Sequence, residues 1–187
     1  MTLSRPRRAL PPLDEGKLNE LALRYVGRFA TTRAKLRRYV ARKVSERGWN
    51  GVREPDLVAL TDRLARLGYV DDAAYALSKS QALTNRGYGK NRLMDALRVA
   101  GIDAQDSVEA CDLADLAAVD SALRFAKKRR YGPFAKLEFD SKQRQRALTA
   151  MVRAGHDLAL GRAILRLVPG EPVDLHELAD RLRLSAS

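Results

Sequence analysis

Apolar residues along this chain recur every three or four positions, and runs of strict alternation rich in β-branched residues are absent. That period belongs to the α-helix, where residues i, i+3, i+4 and i+7 share a face. The abundance of Ala, Leu and Arg, all strong helix formers, points the same way. The pattern is clearest over Arg33–Arg47. Leu36, Val40 and Val44 fall on one face, and Lys35, Arg38 and Arg42 fall roughly opposite, so one side packs and the other offers cations. Thr31 or Thr32 can cap this helix, and Gly48 ends it. A first helix is predicted from about Asp14 to Phe29. A third begins near Glu54, where Pro55 suits a first helical turn, and stops at Gly68. Residues 1–13 contain Pro6, Pro11 and Pro12 and are expected to form a mobile basic arm.

The helical pattern repeats. Gly48, Gly101 and Gly155 each end the second helix of a group, at spacings of 53 and 54 residues. Upstream of the later two, Leu93/Leu97 and Ala147/Met151 hold matching offsets. The first helix of each group ends on a shared theme of arginine, aromatic and small residue: Arg28-Phe29-Ala30, Arg86-Gly87-Tyr88-Gly89 and Arg130-Tyr131-Gly132. The expected fold is therefore all-α, an elongated tandem array of three-helix units over residues 14–70, 71–114 and 115–168. A tail, residues 169–187, carries a short terminal helix over about Val173–Leu184. Stacked helical units bury a continuous seam and suit lying along a filament or groove better than enclosing a small substrate.

Charge adds a direction. The chain has a formal net charge of +12, and residues 1–50 hold 13 Lys/Arg against 4 Asp/Glu. Such asymmetry favours a polyanion or an acidic protein surface as partner. No stretch approaches the roughly 18 apolar residues of a membrane span, so no membrane role is expected. MTLSRPRRALPPLDE has basic residues without an apolar segment after them and does not read as a secretory signal. Cys111 is the only cysteine, which excludes an internal disulfide and fits a reducing compartment.

Catalytic chemistry finds little support. Asp71 and Asp72 stand side by side after a helix stop and before the helical AAYALSKSQAL. One can accept hydrogen bonds as an N-cap, while the other favours the positive end of the helix dipole. Adjacent residues diverge at a helix start, which is poor geometry for a shared metal, and no His or Cys lies nearby in sequence to complete a ligand set. Asp115 and Asp120 occupy the start of the third unit in the same sense. His156 follows a helix-ending glycine, His176 lies in the polar tail, and Cys111 sits in an apolar helical stretch. No Walker loop, GxSxG or zinc spacing is present, and no cofactor is called for.

Binding chemistry is better represented. In KSQALTNRGYGKNR, Lys79, Arg86, Lys90 and Arg92 cluster around a helix–helix turn in which Gly87 and Gly89 permit close approach and Tyr88 can stack on a base or wedge into a protein groove. Lys127, Lys128, Arg129 and Arg130 crowd four cations before Tyr131. Arg37, Arg38 and Arg42 form a further basic face.

The run RLARLGYVDDAAYALSKSQALTNRGYGKNRLMDALRVAGI resembles the signature region of RecX regulatory proteins. It has a leucine-rich helix with Leu64 and Leu67, the joint Gly68-Tyr69 with Asp71-Asp72, the alanine/aromatic Ala73–Tyr75, the basic glycine turn Arg86–Arg92, and a helix from Leu93 to Ile102. The upstream ALRYVGRFATTRAKLRRYVARKV is similar to the family's first unit. The resemblance extends over about residues 18–102. It departs from the family pattern at Thr31-Thr32-Arg33 and at Ala100. It implies a cytoplasmic, monomeric regulator without enzymatic activity. Such a protein binds the RecA recombinase, chiefly its nucleoprotein filament on single-stranded DNA, and inhibits strand exchange and coupled ATP hydrolysis in recombination and the SOS response. The competing expectation, resting on charge and the Arg-aromatic turns, is a helical-repeat DNA- or RNA-binding protein acting without RecA.

Overall fold

The computed structural model describes residues 10–173 and Leu178. Within them the chain is all-helical: α1 (Glu15–Val26), α2 (Arg33–Arg47), α3 (Leu57–Arg66), α4 (Asp72–Asn85), α5 (Lys90–Ala100), α6 (Ala104–Leu116), α7 (Ala118–Arg129), α8 (Ser141–Arg153) and α9 (Leu158–Arg166), with a 3-10 turn at Gly132–Phe134. The first nine residues of the expected arm, His176 and most of the expected terminal helix lie outside the described residues. The chain divides into two compact units between Tyr75 and Ala76, inside α4.

In the first unit α2 packs on both α1 and α3. Its apolar stripe does what its spacing predicts: Leu36 and Val40 are fully buried, in one cluster with Leu18, Ala22, Leu60 and Leu64. Thr32, not Thr31, is the cap of α2, accepting the Lys35 N–H at 3.2 Å. The third helix starts later than the sequence suggests. Asp56 accepts the Ala59 N–H at 2.8 Å and leaves Pro55 ahead of the helix, because a side-chain carboxylate supplies the acceptor that a first-turn proline cannot. The first helix ends earlier, at Val26, where the Arg28 and Phe29 N–H groups fold back on the Tyr25 carbonyl. Leu13, assigned by sequence to the arm, is fully buried, and its backbone pairs with Gly48 and Asn50.

Asp71 and Asp72 take different jobs. Asp71 caps α4 by accepting the Ala74 N–H at 2.8 Å. Asp72 is buried in the first turn of α4 and reaches 39 residues back, accepting the Arg33 N–H at 2.9 Å and Arg33 Nε at 3.1 Å. One carboxylate thus serves the N-terminal ends of two helices and a guanidinium. Beside it, Lys35 Nζ donates to the Tyr75 hydroxyl.

In the second unit, α5 packs on α6, α6 on α7, and α7, α8 and α9 on one another. Ala76, Leu83, Leu93, Leu97, Ala110 and Ala114 form one apolar cluster. A second surrounds Phe125, Met151 and Ile164. Tyr88 packs against both. Asp115, which the sequence places at the start of a helix, instead closes α6, because α7 begins only at Ala118.

The two clusters are joined by backbone. The carbonyls just past the end of α8 accept N–H groups from the start of α5 and its cap: Gly89 N–H to Ala154 O at 3.0 Å and Asn91 N–H to Gly155 O at 3.1 Å. Two sets of helix-end groups that would otherwise lack partners satisfy each other. The buried His156 donates from Nε2 to the Gly87 carbonyl at 3.0 Å and tilts its ring against Phe125. Burial holds the imidazole below its ordinary value of 6.5, partly opposed by the Gly87 bond. The folded state therefore binds this proton less readily than the unfolded chain does. The contribution of this group to stability is expected to be full above the ordinary value of 6.5 and to be lost as pH falls below it. Urea midpoints measured between about pH 5 and 8 should show this slope, and His156→Gln should flatten it. A slope unchanged in that variant would assign the titration to another group.

Candidate functional site

The turn between α4 and α5 is built for an abrupt reversal. Gly87 N–H bonds to Thr84 O at 2.9 Å and Tyr88 N–H to Leu83 O at 3.0 Å, a Schellman-type ending that needs the left-handed backbone of Gly87, φ +83°. The reversal sets Tyr88 between the two clusters and starts α5 against the end of α8. Arg92, in the first turn of α5, then lies beside α8, while Arg129 comes from the last turn of α7 and Arg146 and Arg153 from α8. With Tyr88, Phe125 and Thr149 they line one cleft of about 520 Å³.

The cleft is electrostatically lopsided. Its four arginines are exposed, no carboxylate lines it, and none of the four forms an ion pair among the described residues. Arg129 lies 5.7 Å from the Phe125 ring centre, and Arg86 lies 5.6 Å from that of Tyr88. Converging guanidiniums repel one another until an anion enters, and each can bind phosphate or carboxylate oxygens bidentately. The arrangement suits an extended anion with planar groups.

The two basic stretches singled out in the sequence, 86–92 and 127–130, thus contribute to one place, though unequally. Tyr88, Arg92 and Arg129 line the cleft. Lys90 is turned to Asp115, whose hydrogen bond raises its pKa. Lys79 is half-buried on α4, and Lys127 and Lys128 are exposed on the last turn of α7. Arg37, Arg38 and Arg42 are exposed on α2 of the first unit, where Arg42 pairs with Glu46 at 3.2 Å and Arg38 Nε bonds to Ala34 O. The sequence reading missed Phe125, Thr149, Arg146 and Arg153. A signal was present: Arg146, Thr149 and Arg153 stand at i, i+3 and i+7, one helical face. Moreover, Arg92 and Arg146 each lie nine residues before a repeat glycine, in the place that Tyr39 holds before Gly48.

Arg130 is unusual. Its N–H bonds to Lys127 O and the Tyr131 N–H to Ala126 O, the same ending as at Gly87, but with an arginine in the left-handed position, φ +59°. It is the one non-glycine residue with positive φ among those described. Arg130→Gly should therefore raise stability by about 1 kcal/mol, by removing the Cβ strain of that conformation. A lowered urea midpoint would show that the Arg130 side chain holds the fold instead.

No family model matches the chain. Similar proteins are nonetheless found over most of its length. The regulatory protein RecX of Myxococcus xanthus is 30% identical over 171 residues, 86% of this chain and 88% of that protein. The regulatory protein RecX of Agrobacterium fabrum is 26% identical over 149 residues, 77% of this chain and 79% of its own. A regulatory protein RecX from a Mycobacterium species (strain KMS) is 36% identical over 109 residues, 56% of this chain and 55% of its own.

Proposed function

The chain belongs to the RecX family of regulatory proteins, and on that premise we propose that it binds the RecA recombinase, or its filament on single-stranded DNA, and inhibits strand exchange and the coupled ATP hydrolysis. The observation that carries the reading is the cleft of four arginines without counter-charges beside Tyr88. It needs an anionic partner, and a nucleoprotein filament presents both phosphates and acidic protein surface. The chain acts by binding one filament state better than another, since equal affinity for both would shift nothing. It works in the cytoplasm as a monomer, without cofactor or catalytic step. In this reading the basic residues 86–92 and 127–130 contact the filament around the cleft, and the acidic pair at 71–72 belongs to the scaffold.

The deciding measurement is RecA-driven ATP hydrolysis on single-stranded DNA, titrated with this protein and its cognate recombinase. Hydrolysis is expected to fall at stoichiometric amounts, and an unchanged rate would refute the proposal. The same cleft also suits a second reading, a nucleic-acid-binding protein acting without RecA. A RecA pull-down in the absence of nucleic acid separates them, because only the first predicts capture.

A further inference from the structure

The first unit carries a groove of its own, lined by neither Arg37 nor Arg38. It has a volume of about 390 Å³ and lies between α1, the loop after it and α2, lined by Arg24, Tyr25, Arg28, Phe29, Tyr39 and Arg47 among others. Three aromatic rings run in series through it. Tyr25 and Tyr39 stack at 4.0 Å and 19°, and Phe29 follows Tyr25 at 5.3 Å. Phe29 is 56% exposed, a large apolar ring left in water at the end of the series. Arg28 beside it forms no ion pair among the described residues. The one carboxylate of the lining, Glu20, sits 3.6 Å from Arg24 in an exposed pair, an arrangement that exchanges readily for phosphate. Phe29 is tilted by 46° to Tyr25 and keeps its own face open, and an exposed aromatic face within a positive groove is what a base and its phosphate require. An amphipathic helix would instead want an aliphatic groove, and Leu21 is the only aliphatic side chain in the lining.

We infer that this groove is a second seat for single-stranded nucleic acid, in which a base stacks on Phe29 and Arg28 holds the adjoining phosphate. The inference rests on the reading that the chain contacts single-stranded DNA through the cleft of the second unit. Two seats on one chain make the second contact with a longer strand intramolecular, raising affinity without new chemistry.

The test is calorimetric titration of the full chain with oligothymidylate, without RecA. A strand of about 6 nucleotides, near the footprint of one stacking site, should bind at two per chain. The double substitution Arg28→Ala with Phe29→Ala should reduce this to one and weaken binding of a strand of about 40 nucleotides at least tenfold. Both residues are exposed, so the variant should keep its helix content, and Phe29→Trp should preserve the second site. One oligonucleotide per wild-type chain, lost on Arg146→Ala with Arg153→Ala but not on the Arg28/Phe29 change, would overturn the second seat and leave the cleft standing. Failure of any oligonucleotide to bind would remove both. Loss of RecA capture by the Arg28/Phe29 variant, with oligonucleotide stoichiometry unchanged, would make the groove a protein contact and overturn the inference.

Discussion

Gly155→Ala is expected to remove about 4 kcal/mol or more from the unit that begins at Ala76. Two effects combine. Gly155 has φ +93°, where a Cβ is strained, and that Cβ would lie 2.4 Å from the Arg92 nitrogen and 2.9 Å from the Gly89 carbonyl oxygen. These are backbone atoms and cannot rotate away. Relief requires α5 and α8 to part, which breaks the Gly89–Ala154 and Asn91–Gly155 bonds and leaves buried groups unpaired, at about 1–3 kcal/mol each. Gly48→Ala is the control. Its φ is +82° and its ψ 165°, backbone that is close to glycine-only, yet nothing lies within 4 Å of the added carbon, so it should cost only the backbone strain, about 1–3 kcal/mol. Two probes resolve the effect. Trp49, the single tryptophan, reports on the first unit, while far-ultraviolet circular dichroism reports on all helices. For Gly155→Ala, helix loss in urea should precede the Trp49 transition. Equal costs for the two glycine changes would mean that the α5–α8 joint contributes little.

Asp72→Ala should act on the other probe and lower the Trp49 midpoint. It removes a buried carboxylate that binds one backbone N–H and one guanidinium, and it withdraws negative charge from the first turn of α4. Truncating a fully buried ion pair costs about 3–5 kcal/mol. The Arg33 side chain is 39% exposed, and solvent screening brings the expectation to about 2–3 kcal/mol. Asp71→Ala removes an exposed cap and should cost about 1 kcal/mol. Chemical denaturation of the two variants checks the ranking. An Asp71 effect as large as that of Asp72 would mean that the link to Arg33 adds nothing to capping.

Much of this was legible in the sequence, and the remainder was hidden for definable reasons. The bounds of α2 follow from its stripe, its threonine and Gly48, all local signals. That the aspartate pair stands at the start of α4 also follows locally. Its link to Arg33 does not, because the partners are 39 residues apart and only packing brings them together. The cleft was half visible. Tyr88, Arg92 and Arg129 stand in conspicuous basic runs, whereas Arg146 and Arg153 are scattered along α8 and converge only when the helix is wound. Lys90 shows the reverse: it belongs to the basic cluster in sequence, but the end of α6 supplies Asp115 to neutralise it. The three-unit division remains a proposal. The buried apolar residues gather in three clusters, while the chain parts into two compact units.

Every cation lining the second-unit cleft is an arginine. A guanidinium is not a substrate for amine acylation. The lysines nearby in sequence, Lys79, Lys127 and Lys128, have no such immunity, since acetylation erases an ammonium charge. The positive charge near the cleft therefore has two parts, flanking lysines whose charge acyl transfer can erase and lining arginines that acyl donors leave untouched.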